Sequence, residues 1–202
     1  YRSSGGKMVE SELGMIPEEW KLCEIGAIIE LAYGKPLKKN DRIEGPFPVY
    51  GSNGIVDYHN QFVVEGPGII IGRKGNPGTV NFEFRSFYPI DTTYYVIRKN
   101  EKLSWIYLYF MLKNQKLESL NSDSAVPGLN RNIVYKIKVI VPSEKCIEKF
   151  TKITFPLYKQ KYSLEEENRK LIELRDTLLP KLLSGEIELP DEEEVTEDVM
   201  VQ

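Results

Sequence analysis

Residues 68–82, GIIIGRKGNPGTVNF, combine two adjacent cations with closely spaced glycines. Arg73 and Lys74 follow an isoleucine run, and a β-branched segment resumes at Thr79. The segment is compatible with a phosphate cradle for a nucleotide, a basic hairpin directed at a nucleic acid, or a tight turn in a β core. Lys74 precedes Gly75 and no Ser or Thr follows it, so the GxxxxGK[ST] phosphate loop is excluded.

The other residues capable of chemistry stand alone in the sequence. His59 is the only histidine, and it is expected at the surface of a hairpin without the clustered partners of a zinc site. Asp91, in PIDTTYYV, is expected to be a turn or strand-edge acceptor rather than a catalytic carboxylate. No GxSxG elbow, dinucleotide fingerprint or NPP[FY] sequence occurs. We therefore expect no catalytic residue, no metal site and no cofactor in this chain.

The elements that would position the cations are mainly short strands between residues 47 and 98. These segments are rich in β-branched and aromatic residues and are separated by Gly, Pro and Asn turns. They are FPVYG (47–51), GIVDYH (54–59), QFVVE (61–65), GIIIGR (68–73), GTVNFEF (78–84) and TYYVIR (93–98). Their spacing is typical of an antiparallel barrel or a curled sheet and not of βαβ units.

A helix and a last strand are predicted to follow this β region. The helix begins after Ser104, whose side chain can cap it, and ends at about Leu120. The strand KIKVIV covers residues 136–141. The buried side of the helix is predicted to carry Leu103, Ile106, Tyr107, Phe110, Met111 and Leu117.

A seven-residue repeat begins after Pro142 and predicts a helix from about residue 144 to 184. Apolar residues occupy the d positions Phe150, Leu157, Leu164, Leu171 and Leu178. The a positions are Thr154, Lys161, Asn168, Arg175 and Leu182. This pattern favours a long helix that pairs with another helix. Pro156 either kinks this helix or lies in the first turn of a new helix that Thr154 caps. A second kink is predicted at Pro180, and the helix is predicted to end at Gly185.

The polar a positions also indicate how two such helices would pair. A parallel homodimer would bring Lys161 against Lys161 and Arg175 against Arg175. An antiparallel homodimer places these side chains along leucines with their charges in water. We therefore predict an antiparallel coiled coil with its interface at Leu157, Leu164, Asn168, Leu171 and Leu178.

Charge is distributed unevenly along the chain. Residues 186–202 contain eight acids and no Lys or Arg, and they are expected to form a solvated, disordered tail. The preceding residues are therefore mildly basic, which is compatible with a polyanionic partner. The sequence shows no apolar run long enough to cross a bilayer and no metal-like or redox spacing of Cys23 and Cys146, so we expect a cytoplasmic protein.

Several phrases of the sequence resemble the specificity subunits of type I restriction–modification systems. They are ELGMIPEEW (12–20), YPIDTTYYV (88–96), SAVPGLNRN (124–132) and LRDTLLPKLLSGEI (174–187). Residues 47–82 also resemble the framework of the target recognition domains of that family. The resemblance covers nearly the whole chain from Glu12 to Glu186.

The resemblance implies a non-catalytic subunit that directs methyltransferase (modification) and restriction (endonuclease/translocase) subunits to a bipartite site on double-stranded DNA. Family members usually hold two recognition domains, each followed by a long helix, and the two helices pack antiparallel. This chain has one domain and one helix, so it is either a half-size subunit that pairs or a fragment of a longer one. Two identical copies would recognise inverted half-sites about one to two helical turns apart, at ~34–36 Å per turn.

Together these observations predict an α+β fold: a mainly antiparallel β domain followed by a long C-terminal coiled-coil helix. The predicted parts are a tag or flexible start (1–11), a DNA-binding target recognition domain (12–142), a dimerisation and spacer helix (143–185) and the acidic tail (186–202). The alternative function is a carbohydrate- or protein-binding β domain with an oligomerising helix. Salt dependence separates the two, because phosphate contacts make DNA affinity fall steeply with salt.

Exposed cations and amides in loops between strands are the candidate DNA contacts. For Asn130 and Arg131 a second interpretation remains, in which their polar groups tie a helix to the sheet. The predicted DNA-binding residues are Lys38, Lys39, Asn53, Arg73, Lys74, Asn130 and Arg131.

Overall fold

The computed structural model describes residues 6–120 and 128–188, and it divides the chain into two compact units, Tyr1–Ile153 and Thr154–Gln202. Most of the predicted acidic tail and the first five residues of the predicted flexible start lie outside the described residues. The rest of that start includes an ordered element, since Met8–Ser11 form strand β1. The described chain is mixed α+β with mainly antiparallel sheets and a long C-terminal helix, as predicted.

The first strands belong to two small sheets that the sequence did not indicate. Strand β1 pairs antiparallel with β2 (Gly14–Pro17). Strand β3 (Lys21–Glu24) pairs antiparallel with β11 (Lys138–Val141), which confirms the predicted last strand. The short helix α1 (Ile25–Ile28) then leads into the main sheet.

The main sheet has four antiparallel strands in the order β4-β10-β7-β8. These are β4 (Ile29–Tyr33), β7 (Gly68–Gly72), β8 (Val80–Glu83) and β10 (Thr93–Arg98). All five residues of β7 are buried. Burial on both faces explains why this strand is a continuous apolar run and not an alternating one.

A second sheet has the strand order β6-β5-β9. Strand β5 (Phe47–Gly51) pairs antiparallel with β6 (Gly54–His59) and parallel with β9 (Tyr88–Pro89). The predicted strand at 61–65 is wrong, because only Val64 there forms an isolated bridge, with Phe87. Tyr50, Ile70 and Phe87 form a buried cluster that joins the two sheets.

Helix α2 (Trp105–Asn114) begins where predicted, and the Ser104 hydroxyl accepts a hydrogen bond from Tyr107 N. It ends earlier than predicted, because Lys116 adopts a φ of 49° and residues Leu117–Leu120 form a 3-10 turn. The predicted buried side was partly wrong: Tyr107 and Phe110 are only half-buried and contact Phe150 edge-on. The helix carries apolar residues on all of its sides, so the periodicity of its sequence does not indicate which face is buried. The helix residues that are buried instead are Leu108, Tyr109 and Leu112.

The last two helices are α3 (Arg131–Tyr135) and α4 (Glu144–Leu183). Helix α4 contains both Pro156 and Pro180, so Thr154 does not cap a new helix. Gly185 has a φ of +73°, and the bonds Gly185 N to Leu182 O (3.2 Å) and Glu186 N to Lys181 O (2.9 Å) close the helix. This is the glycine-terminated motif that the sequence predicted. No helix among the described residues has the length and apolar character needed to cross a membrane.

Candidate nucleic-acid interface

Four backbone amides in and beside the β7–β8 connection donate hydrogen bonds within the protein. Arg73 N and Lys74 N both donate to Thr92 O, at 2.9 and 3.1 Å. Gly72 N donates to Thr79 O and Gly78 N donates to Gly72 O, both at 2.9 Å. The amides of Gly72 and Gly78 are therefore not available to bind an anion, and the cationic side chains remain as the candidate contacts.

Gly78 is needed by the packing of this turn. Its φ is +91°, and a β-carbon there would lie 2.3 Å from Glu118 N. Other residues are strained at such a φ and would also collide with the backbone of the 3-10 turn. The glycine therefore holds the hairpin against the segment after α2.

Arg73 and Lys74 line a polar cavity of about 470 Å³ with residues from distant parts of the chain. The adjacent strands β4 and β10 supply Tyr33 and Tyr94, which are register partners. Residues 128–130, which form the segment before α3, are attached to the cavity. Leu129 N donates a hydrogen bond of 2.9 Å to Arg73 O, and Lys74 and Gly128 form an isolated β-bridge. The remaining lining residues are Gly128, Leu129, Asn130, Arg131 and Asn132.

Both arginines of the cavity are held in place against Tyr33. The guanidinium carbons of Arg73 and Arg131 lie 5.2 and 5.0 Å from the centroid of its ring. The Nε and Nη2 groups of Arg73 donate to Asp91 O at 3.1 and 2.7 Å. Arg131 Nη1 makes a longer contact of 3.4 Å with Leu31 O. Two cationic groups thus share one aromatic ring, with their orientation set by stacking and by backbone carbonyls.

Tyr94 contributes no negative charge to the cavity near neutral pH. Burial is the main cause that raises the pKa of its hydroxyl to about 12, and the neighbouring Tyr33 adds to the shift. The neutral hydroxyl donates to Leu129 O at 3.1 Å. Tyr94 therefore fixes the segment before α3 against the sheet and leaves the cavity positively charged.

Asn130 serves as the N-cap of α3. Its Oδ1 accepts a hydrogen bond of 2.9 Å from Asn132 N. The contact of Arg131 with Leu31 O similarly connects the start of α3 to β4. The geometry thus gives these two residues a structural role of the kind considered from sequence, while both also line the cavity.

The other predicted DNA-contact residues lie outside this cavity. Asn53 is exposed in the β5–β6 turn, which touches the β7–β8 connection through a 2.6 Å bond from Thr79 Oγ1 to Ser52 O. Lys38 and Lys39 are exposed in the loop between β4 and β5, where a 3-10 turn covers Lys39–Asp41. The structure therefore gathers four of the seven predicted residues and leaves three on neighbouring loops.

The loop that carries these lysines is anchored to β6. Arg42 forms an ion pair with Asp57 (3.1 Å), and His59 Nδ1 lies 3.0 Å from Ile43 N. A hydrogen bond from Tyr58 N and the Arg42 guanidinium hold the pKa of Asp57 below its usual value. His59 is only 5% exposed, so the prediction that it lies at the surface was wrong. His59 is buried because the loop between β4 and β5 folds over it, and the sequence of the hairpin alone does not indicate this contact.

Tyr33 and Tyr94 were not predicted from the sequence as cavity residues. Each was visible as an aromatic residue in a strand, but aromatic residues in strands usually belong to a core. A signal for a binding role arises only when they are placed beside arginines, because nucleic-acid sites combine cations with stacking surfaces.

We expect replacement of Asn130 by alanine to lower the free energy of unfolding by about 1 kcal/mol, because the cap of α3 is removed. Urea unfolding measures this. Asn132→Ala is the matched control, since Asn132 enters the cap through its backbone N–H. Equal destabilisation by both substitutions would contradict the capping role. Asn130→Asp retains a capping oxygen and is expected to preserve stability.

Comparison with known proteins identifies the class of protein. Residues 17–174 match the family model of the type I restriction modification DNA specificity domain. This match covers more than half of the 202 residues, and the chain belongs to that family.

Its relatives are specificity subunits of type I restriction enzymes. The HindI specificity subunit of Haemophilus influenzae is 31% identical over 123 residues, which are 58% of this chain and 25% of that protein. The EcoDI specificity subunit of Escherichia coli is 21% identical over 182 residues, 86% of this chain and 40% of that protein. The chain thus spans between a quarter and two fifths of the length of these relatives.

Solved structures show the same fold. The type I restriction–modification S subunit of M. genitalium aligns with a TM-score of 0.65 at 19% identity, over 88% of this chain and 48% of that one. The HsdS subunit of Thermoanaerobacter tengcongensis aligns with a TM-score of 0.53 at 13% identity, over 82% and 45%. The fold therefore corresponds to about half of each subunit.

Proposed function

We propose that this chain recognises a DNA sequence, catalyses no reaction itself, and directs modification and restriction subunits to a bipartite site on double-stranded DNA. The observation that carries the proposal is the cavity in which Arg73, Lys74 and Arg131 come together beside Tyr33 and Tyr94. Cations at loops on a rigid sheet are the groups that contact nucleic-acid phosphates and base edges. Family membership supports the same function.

In this proposal the target recognition domain covers residues 12–142, and the exposed Lys38, Lys39 and Asn53 extend its DNA surface beyond the cavity. Arg73, Lys74, Asn130 and Arg131 form its centre. A duplex is wide enough to contact several neighbouring loops at once, and single recognition modules bury roughly 600–1,000 Å² of protein surface. A basic surface spread over these loops could therefore contact a duplex at several points.

We propose that residues 143–185 pair two copies of the chain as an antiparallel coiled coil. Within Thr154–Leu183, four d-position leucines have more than a third of their surface exposed in the single chain: Leu157, Leu164, Leu171 and Leu178. Asn168 lies among them at an a position and is also exposed. An apolar stripe of this length would be covered by a partner helix in a stable protein.

The paired copies would then carry their recognition domains at opposite ends of the coiled coil. The modification and restriction subunits would bind to this pair to form the complete enzyme complex. A solved relative is described in terms of the complex assembly of the type I R-M system, which supports this assignment of partners. We further propose a cytoplasmic location, with which the two free cysteines, Cys23 and Cys146, agree.

DNA binding is tested by replacing Arg73 and Lys74 with alanine in the full chain. We expect weaker binding to a duplex selected from a random pool, because the variant neutralises fewer phosphates. The salt dependence is expected to decrease by about 0.9 log units per log of salt for each phosphate that is no longer neutralised. Fluorescence anisotropy at several salt concentrations measures both quantities.

The matched control is the adjacent pair Arg98 and Lys99, at the other end of β10. The double alanine variant of this pair removes the same charges outside the cavity and is expected to change affinity and salt dependence much less. If the full chain binds no duplex at any salt concentration, the proposed function is wrong. A binding domain for carbohydrate or protein would show that result.

A further inference from the structure

We propose that the cavity formed by Tyr33, Arg73, Lys74, Tyr94 and Arg131 is a phosphate-binding subsite that positions the DNA backbone and does not recognise base edges. This inference rests on the proposed function, since it assigns a role to one part of the DNA surface. It divides the predicted contacts into a sequence-independent group in the cavity and the remaining residues on the neighbouring loops.

The cations of the cavity are not paired with any carboxylate of the residues that the structure describes. The guanidinium groups of Arg73 and Arg131 both lie within 5.2 Å of the Tyr33 ring centroid, so they are no more than about 10 Å apart. Within residues 6–120 and 128–188, no carboxylate forms an ion pair with Arg73, Lys74 or Arg131. The three cations at one cavity together create a positive potential that attracts an anion.

Arg73 keeps hydrogen-bond donors that its contact with Asp91 O does not use. Arg73 uses its Nε group and Nη2 for Asp91 O, which leaves Nη1 and the second Nη2 proton available. These donors form the outer edge of a planar fork, the arrangement that binds two oxygens of one phosphate. Lys74 is exposed at the same cavity and adds a second charge without a fixed geometry.

The cavity is concave and holds both of its arginines in fixed positions. Stacking on Tyr33 and contacts with Asp91 O and Leu31 O hold both arginines against the protein. Arginines that contact base edges extend from the protein into a groove, whereas phosphates lie on the outside of the duplex. A polar cavity with fixed guanidinium groups fits a phosphate that protrudes from the duplex. Because the arginine side chains are already ordered, they lose little conformational entropy when the phosphate binds.

Tyr33 is the positioning residue of this subsite. Tyr33 is 50% exposed, and its ring contacts both guanidinium groups. We expect Tyr33→Phe to retain DNA affinity because the stacking surface remains. Tyr33→Leu removes that surface and is expected to weaken binding several-fold to duplexes of any sequence.

The test uses the full chain and two duplexes of equal length, one selected from a random pool and one of unrelated sequence. Arg73→Ala and Arg131→Ala are each expected to lower affinity about tenfold for both duplexes, leaving the ratio of the two affinities unchanged. Each is also expected to reduce the salt slope by about 0.9. Arg98→Ala is the control, because Arg98 also stacks on an aromatic ring, that of Trp105, and donates to a carbonyl, Leu103 O.

A second measurement identifies the contacted group directly. Duplexes carrying one uncharged methylphosphonate at each position in turn are bound to the wild-type chain and to the Arg73→Ala variant. At one position the substitution is expected to weaken the wild-type complex and to have little further effect on the variant, as in a double-mutant cycle. Arg73→Lys keeps the charge without the planar fork and serves if the alanine variant fails a urea-unfolding check.

The outcomes distinguish this proposal from the proposed function. If Arg73→Ala or Arg131→Ala lowers the affinity ratio about tenfold with an unchanged salt slope, the arginines recognise bases and the subsite is wrong. If neither substitution changes binding, the subsite is also wrong, while DNA recognition by other loops stands. A wild-type chain that binds neither duplex overturns both proposals.

Discussion

Replacing Glu83 with alanine is expected to lower the free energy of unfolding by about 3–5 kcal/mol, the range for removing one partner of a buried ion pair. Glu83 is fully buried at the end of β8. Its carboxylate accepts a 2.9 Å hydrogen bond from the Tyr50 hydroxyl of β5 and a 3.2 Å bond from Arg85 Nε. The substitution removes the side chain that links the two sheets beside their common core, and urea unfolding measures the decrease in stability.

Lys161→Ala provides the comparison for an exposed pair. Lys161 and Glu165 form an i,i+4 ion pair on α4, with both side chains more than half exposed. Its removal is expected to change stability by less than about 1 kcal/mol, because water screens and replaces the interaction. If Glu83→Ala were no more destabilising than Lys161→Ala, the proposed link between the sheets would carry no appreciable stability.

Replacing Leu164 and Leu171 together with aspartate is expected to abolish self-association of the chain at micromolar concentration. Each leucine buried in a coiled-coil seam stabilises the pair by about 1.5–3 kcal/mol, and in a homodimer each substitution occurs twice. The aspartates also add like charges to the seam. Sedimentation equilibrium is expected to show a dimer for the wild type and a monomer for the variant.

The matched control substitutes Ser163 and Lys170 with aspartate, one residue before each leucine and off the a and d positions of the repeat. This variant is expected to remain dimeric. Selection of bound DNA gives an independent result, since an antiparallel homodimer recognises an inverted repeat with a fixed gap. A single ungapped asymmetric site, or a wild type that stays monomeric, would contradict the homodimer; a bipartite asymmetric site would require a different second half.

Elements with strong local patterns were predicted well from the sequence. The seven-residue repeat and Gly185 were sufficient for the long helix and its end, because both depend on residues within a few turns of each other. Strands β5, β6, β7, β8 and β10 were also recognisable from their composition and the turns between them. Strands β3 and β4 were missed because their pairing partners, β11 and β10, lie far away in sequence. Strands β1 and β2 pair with each other and were missed because each has only four residues.

The residues of the candidate site can also be divided into those that the sequence predicted and those that only the structure brought together. The sequence by itself determined that Arg73 and Lys74 lie together at the end of a buried strand, since adjacent residues need no fold to bring them together. Only the tertiary structure decided that Tyr33, Tyr94 and Arg131 surround them, through the register of β4 with β10 and the attachment of the segment before α3. The physical reason is that such contacts are selected by the packing of the whole core, and no local pattern of residues encodes them.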